Sequence, residues 1–271
     1  LNIDAYIYTL ITSLLLGFTF LIKKKVDGKI SIYIKILTLI IGYLILPLII
    51  SIPYYLSIYN ISYLNCFFEA VSGFTSTGFT IFENIKHIDE SLILWRSSSQ
   101  WIGGIYFLFS IILLIDIFDD NLKKSLTNYI SFNSAEIFKQ SLKILLLYSI
   151  LTLFLFIVLK LINIRTFDSF NLSMTIISSG GFLPFNNIDL IINSDLKKIV
   201  FSILMLFSYF SLFLTYNFFY LRKKSLNFFA EDIYLFIYLI FLIIVFFVFF
   251  NFDYNFSSIL FSIASSISNI G

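Results

Sequence analysis

The chain has 271 residues, of which 59% are hydrophobic and only 13% are charged. Together with a mean hydropathy of +0.95, this composition excludes a soluble core under a charged surface and predicts a protein whose main solvent is lipid. The formal net charge of +2, with the basic residues in separated clusters, argues against nucleic-acid binding. A single cysteine, Cys66, and a single histidine, His87, exclude an internal disulfide, a thiolate metal cluster and a multi-histidine site.

Six apolar runs are each long enough to cross a membrane as a helix, since a hydrocarbon core of about 30 Å needs about 20 helical residues. They lie at residues 5–22, 32–56, 92–115, 140–162, 197–221 and 232–250. Basic residues concentrate after the first, third and fifth runs, for example at Lys23 to Lys29 and Arg222 to Lys224. Cytoplasmic loops carry an excess of Lys and Arg, so the sequence predicts a multi-pass protein of the inner, or cytoplasmic, cell membrane. The first residue, Leu1, favours a chain that begins within a longer protein.

This orientation places residues 57–91, 163–196 and 251–271 on the outer side of the membrane. Each contains a moderately apolar stretch of about ten residues, which is too short to span. The three stretches read FFEAVSGFTSTGFT (67–80), FNLSMTIISSGGF (170–182) and FSIASSISNIG (261–271). When they are aligned on Gly78, Gly181 and Gly271, the residues Ser72, Thr175 and Ser265 fall in register. An internal repeat of about 100 residues is predicted, made of a span, a short helix, a Gly turn and a second span.

These short segments are typical of an ion filter. Backbone within a membrane must satisfy its own hydrogen bonds, so a short helix followed by an irregular turn survives only where protein buries it or water fills a cavity beside it. Glycine allows φ values that let successive carbonyls point into a lumen, where a ring of oxygens replaces the hydration shell of a cation. The short helix aims its partly negative C-terminal end at the same point. The pattern therefore predicts part of a cation-conducting pore.

Other interpretations stay open at this level. Interfacial helices with ordinary Ser and Gly turns are the structural alternative. A secondary transporter with re-entrant hairpins would bind its substrate at broken helices, but it predicts inverted repeats, whereas these three segments enter from one side. A membrane enzyme would need a cluster of His, Asp or Cys at the interface, so the sequence predicts neither an enzyme nor a cofactor.

Three motifs give a family resemblance: FFEAVSGFTSTGFT (67–80), LWRSSSQWIGG (94–104) and ISSGGF (177–182). With them the chain resembles the Trk/Ktr/HKT superfamily of potassium transporters, and most of all the TrkH-type membrane subunits. The resemblance implies an all-α integral membrane protein in which pseudo-repeated units of helix, re-entrant pore loop and helix surround a central ion pore. Residues 1–30 would form an extra N-terminal helix with a cytoplasmic turn, and 31–137 pore unit one with a cytoplasmic linker. Residues 138–230 would form unit two, and 231–271 the first part of unit three, whose second helix would be absent together with unit four.

The resemblance also implies a function and a set of site residues. The ion is K⁺, held by backbone carbonyls of a selectivity filter that comprises Thr75, Ser76, Thr77, Gly78, Ser178, Ser179, Gly180, Gly181, Ser268, Asn269, Ile270 and Gly271. In the superfamily, glycine in every filter segment goes with K⁺ permeation and serine in the first goes with Na⁺ preference, so a sodium-permeable or sodium-coupled member is the alternative. Besides membrane lipid, the implied partners are a second copy of the chain in a homodimer and a cytosolic ring of nucleotide-binding regulatory subunits.

Three polar residues outside the loops have two interpretations each. Arg96 and Gln100 either belong to an aromatic and basic anchor at the membrane interface or hydrogen-bond the back of a pore loop and hold it in place. Glu69 lies in the first short helix, where exposure to hydrocarbon would be costly. It is therefore expected to be a buried hydrogen-bond partner near the filter, or to attract cations in an outer vestibule.

Overall fold

The computed structural model describes residues 3–22, 31–114, 137–216, 230–249 and 255–270. Across these ranges the regular elements are helices and no strand occurs, which confirms the all-α class. The α-helices are α1 (Ile3–Ile22), α2 (Ile32–Tyr55), α3 (Tyr63–Phe74), α4 (Glu90–Leu114), α5 (Ile137–Leu161), α6 (Thr166–Ser178), α7 (Asp195–Tyr216), α8 (Ala230–Phe249) and α9 (Phe256–Ser268). Each of the six predicted spans coincides with a long helix, namely α1, α2, α4, α5, α7 and α8.

The helices repeat in the order that the sequence predicts. The first repeat is α2, α3 and α4, the second is α5, α6 and α7, and the third begins with α8 and α9. The short helices begin at Tyr63, Thr166 and Phe256, which are aligned positions when the three glycines are aligned. Two short 3-10 turns, Ile85–His87 and Ile188–Leu190, also occupy aligned positions. The pseudo-repeated architecture is therefore confirmed in the helices themselves.

The long helices expose apolar surface on one side and pack on the other. In α5, Ile150 and Leu153 are 60% and 57% exposed, whereas Leu155 and Leu159 are fully buried. A helix that is apolar on both its packed and its exposed face suits contact with lipid. In the described part of the chain, two helices combine the length and the apolar character needed to cross a membrane, Ile32–Tyr55 and Ser141–Leu161, with mean hydropathies of 2.5 and 2.6.

Two apolar clusters form the core, and α4 contributes to both. One lies among α4, α5, α6 and α7 and includes Tyr148, Leu172 and Phe201. The other lies among α2, α3 and α4 and includes Tyr54 and Phe74. Because α4 stands between the short helices α3 and α6, one face of it meets the first repeat and another face meets the second.

The closest approach of α4 to α3 depends on Gly103. A Cβ added there would collide with the backbone carbonyl of Phe74, at the end of α3. Since backbone cannot move aside as a flexible side chain would, we expect Gly103→Ala to lower the free energy of unfolding by about 1–3 kcal/mol. Thermal melting of the full-length protein in detergent would measure the loss. Gly17→Ala in α1, where nothing lies within 4 Å, is the matched control, and equal melting of the two variants would contradict the prediction.

Candidate functional site

The three short helices end in turns whose backbones follow one another residue by residue. We call these loop one (residues 75–80), loop two (residues 179–183) and loop three (residues 269–270). The aligned residues Ser76, Ser179 and Asn269 have φ values of 54°, 53° and 55°, in the left-handed region that side chains rarely adopt. Two positions later, Gly78 and Gly181 have φ values of 83° and 75°. Glycine is needed there because its missing Cβ permits such angles.

A repeated hydrogen bond closes each turn onto its own helix. The amide of Thr77 donates to the Ser72 carbonyl at 2.9 Å. The same bond recurs in the other two repeats. The amide of Gly180 donates to the Thr175 carbonyl at 2.9 Å, and the amide of Ile270 donates to the Ser265 carbonyl at 3.2 Å. The hydroxyl of Ser72 also donates to the Phe79 carbonyl at 2.6 Å, and that of Thr175 donates to the Phe182 carbonyl at 3.0 Å. The hydroxyls of Ser72 and Thr175, two of the three positions that the alignment placed in register, thus hold the chain just beyond Gly78 and Gly181.

The loops meet at their glycines. A Cβ added to Gly78 would lie 2.7 Å from the Gly180 carbonyl oxygen and 3.4 Å from the Gly181 Cα. A Cβ added to Gly181 would lie 3.4 Å from the Ile270 carbonyl oxygen. Loop two therefore lies between loops one and three, with backbone against backbone. Gly271 lies outside the described residues.

Four of the predicted filter side chains make polar contacts within their own segments. Thr75 donates to the Val71 carbonyl at 2.8 Å and its hydroxyl lies 2.7 Å from that of Thr77. Ser178 donates to the Met174 carbonyl at 2.9 Å. In α9, Ser268 is buried and its hydroxyl lies 3.3 Å from the Ser265 carbonyl. The hydroxyls of Thr75, Thr77, Ser178 and Ser268 are therefore engaged within their own segments.

Behind loop one lies a buried ion pair. Arg96 of α4 and Glu69 of α3 are 1% and 0% exposed, and Arg96 Nε donates to Glu69 Oε1 at 2.8 Å. Arg96 Nη2 donates to the Thr80 hydroxyl at 2.9 Å, and that hydroxyl donates to Glu69 Oε1 at 2.9 Å. The amide of Ile81 donates to Glu69 Oε2 at 2.9 Å. The pair thus fixes the chain that leaves loop one, and Glu69 is the buried partner that one of its two interpretations predicts.

The same arginine reaches the second repeat. Its guanidinium carbon lies 4.2 Å from the centre of the Phe182 ring, next to Gly181, at a distance where a cation is attracted to an aromatic face. At the aligned positions of the second repeat stand Leu172 and Ile199, so the fold of a repeat does not require an ion pair there. The Glu69–Arg96 pair is a feature of loop one and its contact with loop two.

Gln100 lies one helical turn further along α4 and faces loop two. It is fully buried, and its Nε2 donates to the Gly180 carbonyl. The amide of Phe182 donates to Gln100 Oε1 at 3.3 Å. Of the two interpretations of Arg96 and Gln100, the structure agrees with the second, since both side chains contact the loops that follow the short helices.

Polar contacts between repeats continue beyond the loops and at the start of α7. Asn186, just after loop two, accepts from the Ile85 amide at 2.6 Å and donates to the Glu83 carbonyl at 3.3 Å. At the start of α7, the Asp195 carboxylate accepts from Ser257 of α9 at 2.5 Å. Each repeat is therefore joined to the next on the side where its short helix begins.

Comparison with known proteins gives related transporters. No protein-family model matches the chain. Over 200 residues it is 29% identical to the uncharacterized cation transporter MJ1485 of Methanocaldococcus jannaschii, an alignment that covers 69% of this chain and 40% of that protein. Over 60 residues it is 42% identical to the Trk system potassium uptake protein TrkI of Halomonas elongata, which covers 22% of this chain and 11% of that protein.

A solved structure shares the fold. The potassium transporter TrkH from Vibrio parahaemolyticus superposes with a TM-score of 0.79 at 19% sequence identity, over 97% of this chain and 56% of that one. The aligned segments thus cover between about a tenth and just over half of the length of these proteins. The chain is therefore similar to Trk-type transporters, as the sequence predicted, and it shares the fold of the potassium transporter TrkH.

Proposed function

We propose that the protein to which this chain belongs takes up potassium ions across the cytoplasmic membrane, through a channel-like pore with a selectivity filter of backbone carbonyls. The observation that supports it most is the meeting of three aligned turns at Gly78, Gly181 and Ile270, with distances that leave no room for a side chain between the first two loops. Oxygens of backbone carbonyls in such an arrangement replace the water around a bare cation.

The names of the relatives agree with this proposal. One is called a cation transporter and two are named for potassium transport. Glycine at Gly78, Gly181 and Gly271 favours K⁺ over Na⁺ within the resemblance drawn from the sequence. The twelve filter residues, the pore units at residues 31–137, 138–230 and 231–271, and the multi-pass insertion in the inner membrane are parts of the same proposal.

Two partners complete the proposed assembly. We propose a homodimer in which each protomer has its own pore, and a cytosolic ring of nucleotide-binding regulatory subunits docked beneath it. The basic spacers at residues 23–29 and 222–224, which lie outside the described residues, are the segments where such a ring would be expected to touch. Their charges also follow from the cytoplasmic orientation alone.

Growth complementation tests the uptake of K⁺. The full-length gene, expressed in a bacterium that lacks its own K⁺ uptake systems, is expected to restore growth on limiting K⁺. Gly181→Ala should fail to do so at equal membrane level, because φ at this position is 75° and a side chain there costs about 1–2 kcal/mol at the filter backbone. No growth with a wild-type protein that reaches the membrane would overturn the proposed function.

A further inference from the structure

Loop two contains two successive glycines, and they have different reasons to be there. Gly181 has a positive φ of 75°, whereas Gly180 is not among the described glycines with positive φ. The aligned positions hold Thr77 in loop one and Ile270 in loop three. Gly180 is therefore not required by the conformation of its own backbone.

The space beside Gly180 is filled from another helix. A Cβ added to Gly180 would collide with the side-chain amide of Gln100. That amide is fully buried, its Nε2 donates to the Gly180 carbonyl, and its Oε1 accepts from the Phe182 amide at 3.3 Å. Gln100 thus occupies the place of a side chain behind loop two and binds the backbone on both sides of Gly181.

This contact joins two repeats and is not copied in the next pair. Gln100 belongs to the first repeat, whereas the loop it holds belongs to the second. The aligned residue of α7 is Ile203, which is 54% exposed, and loop three carries the buried side chain of Ile270 at the position of Gly180. In the third repeat, where no glutamine stands behind the loop, the buried side chain of Ile270 takes the corresponding position.

We infer that Gln100 is a positioning residue for loop two, which holds the backbone around Gly181 from the neighbouring repeat and thereby contributes to selection of K⁺ over Na⁺. The inference rests on the proposed function. The glutamine of the LWRSSSQWIGG motif thus acts on the loop of the repeat that follows its own. It also explains why loop two has a second glycine, since a side chain on Gly180 would collide with the Gln100 amide.

Ion flux through the full-length protein in proteoliposomes tests this inference. Gln100→Met keeps the length of the side chain but removes both hydrogen bonds, each of which contributes about 1 kcal/mol. We expect the ratio of K⁺ to Na⁺ permeability to fall about tenfold or more, while Ile203→Met, at the aligned and exposed position of α7, keeps the wild-type ratio. An unchanged ratio in Gln100→Met would overturn the inference.

A pair of variants keeps the test decisive if Gln100→Met does not reach the membrane. Gly180→Ala alone is expected to reduce the membrane level because its Cβ meets the Gln100 amide. Adding Gln100→Ala removes the obstacle, so the double variant should regain membrane level while its permeability ratio stays reduced. A double variant no better than Gly180→Ala alone, or one with the wild-type ratio, would count against the role of Gln100.

The outcome separates the inference from the function on which it rests. If the wild-type protein carries no K⁺, the proposed function fails. If the wild-type protein carries K⁺ and the Gln100 variants select as it does, only the role of Gln100 fails.

Discussion

Gly78→Ser in the full-length protein is expected to lower the ratio of K⁺ to Na⁺ permeability by about tenfold. At a φ of 83° a side chain costs about 1–2 kcal/mol, and about 1.4 kcal/mol corresponds to a factor of ten. The new Cβ would also lie 2.7 Å from the Gly180 carbonyl oxygen, so loop one must move away from loop two. The proposed filter would then lose the spacing between loops one and two on which we base the selection of K⁺. Reversal potentials or paired K⁺ and Na⁺ fluxes in proteoliposomes measure the ratio.

Gly17→Ser is the matched control for this variant, because that glycine lies in α1 with nothing within 4 Å of an added Cβ. It should leave the permeability ratio unchanged. If Gly78→Ser has the wild-type ratio as well, the assignment of loop one to the filter is wrong.

Removing one partner of the buried ion pair is expected to have the largest effect on stability. Arg96→Met leaves the carboxylate of Glu69 buried without its counter-ion, which costs about 3–5 kcal/mol. We expect little of this variant in the membrane fraction and a clear drop in melting temperature. Quantitative blotting of membranes and thermal melting in detergent measure the two effects.

The second repeat supplies the control residues for this variant. It has Leu172 and Ile199 at the aligned positions, and replacing a buried pair by apolar residues of similar size is often neutral. Glu69→Leu combined with Arg96→Ile should therefore recover membrane level. Its ratio of K⁺ to Na⁺ permeability should nevertheless be lower than that of the wild-type protein, because the Ile81 amide loses its acceptor. Full recovery of selectivity in the double variant would show that the pair serves stability alone.

Much of the fold could be predicted because lipid imposes length and periodicity on the sequence. The six long apolar runs coincide with helices, and alignment of the glycines placed the starts of α3, α6 and α9 at equivalent positions. The register of Ser72 with Thr175 was also visible, since a hydroxyl at a fixed distance before the glycine recurs in each segment. Both the length of an apolar run and the spacing between hydroxyl and glycine depend on residues close together in the sequence, so they can be predicted from it.

The first left-handed residue of each turn was harder to find. The sequence suggested that glycine provides the unusual backbone angles, but Ser76, Ser179 and Asn269 adopt them first. Asn269 carried a signal, because asparagine visits this region more readily than most residues. Ser76 and Ser179 gave no such signal in the sequence. Their positive φ angles accompany the aligned hydrogen bonds that close the turns.

The partners of Arg96 and Gln100 could not be read from the sequence for a geometric reason. Both lie on α4, but Arg96 binds the short helix of its own repeat, whereas Gln100 binds the loop of the next. Which repeat a side chain faces depends on the crossing of α4 with α3 and α6. Spacing along one helix gives the face of a residue but not the identity of its neighbour.

The position of α4 between two loops has a consequence for exchanging parts among related transporters. A chimera cut at the repeat boundary, between α4 and α5, would separate loop two from the Gln100 amide that fits Gly180 and from the arginine that lies over Phe182. A cut before α4 would instead carry these contacts along intact. That cut would in turn divide the Glu69–Arg96 pair between α3 and α4, so a chimera is expected to disturb loop two with the first cut and loop one with the second.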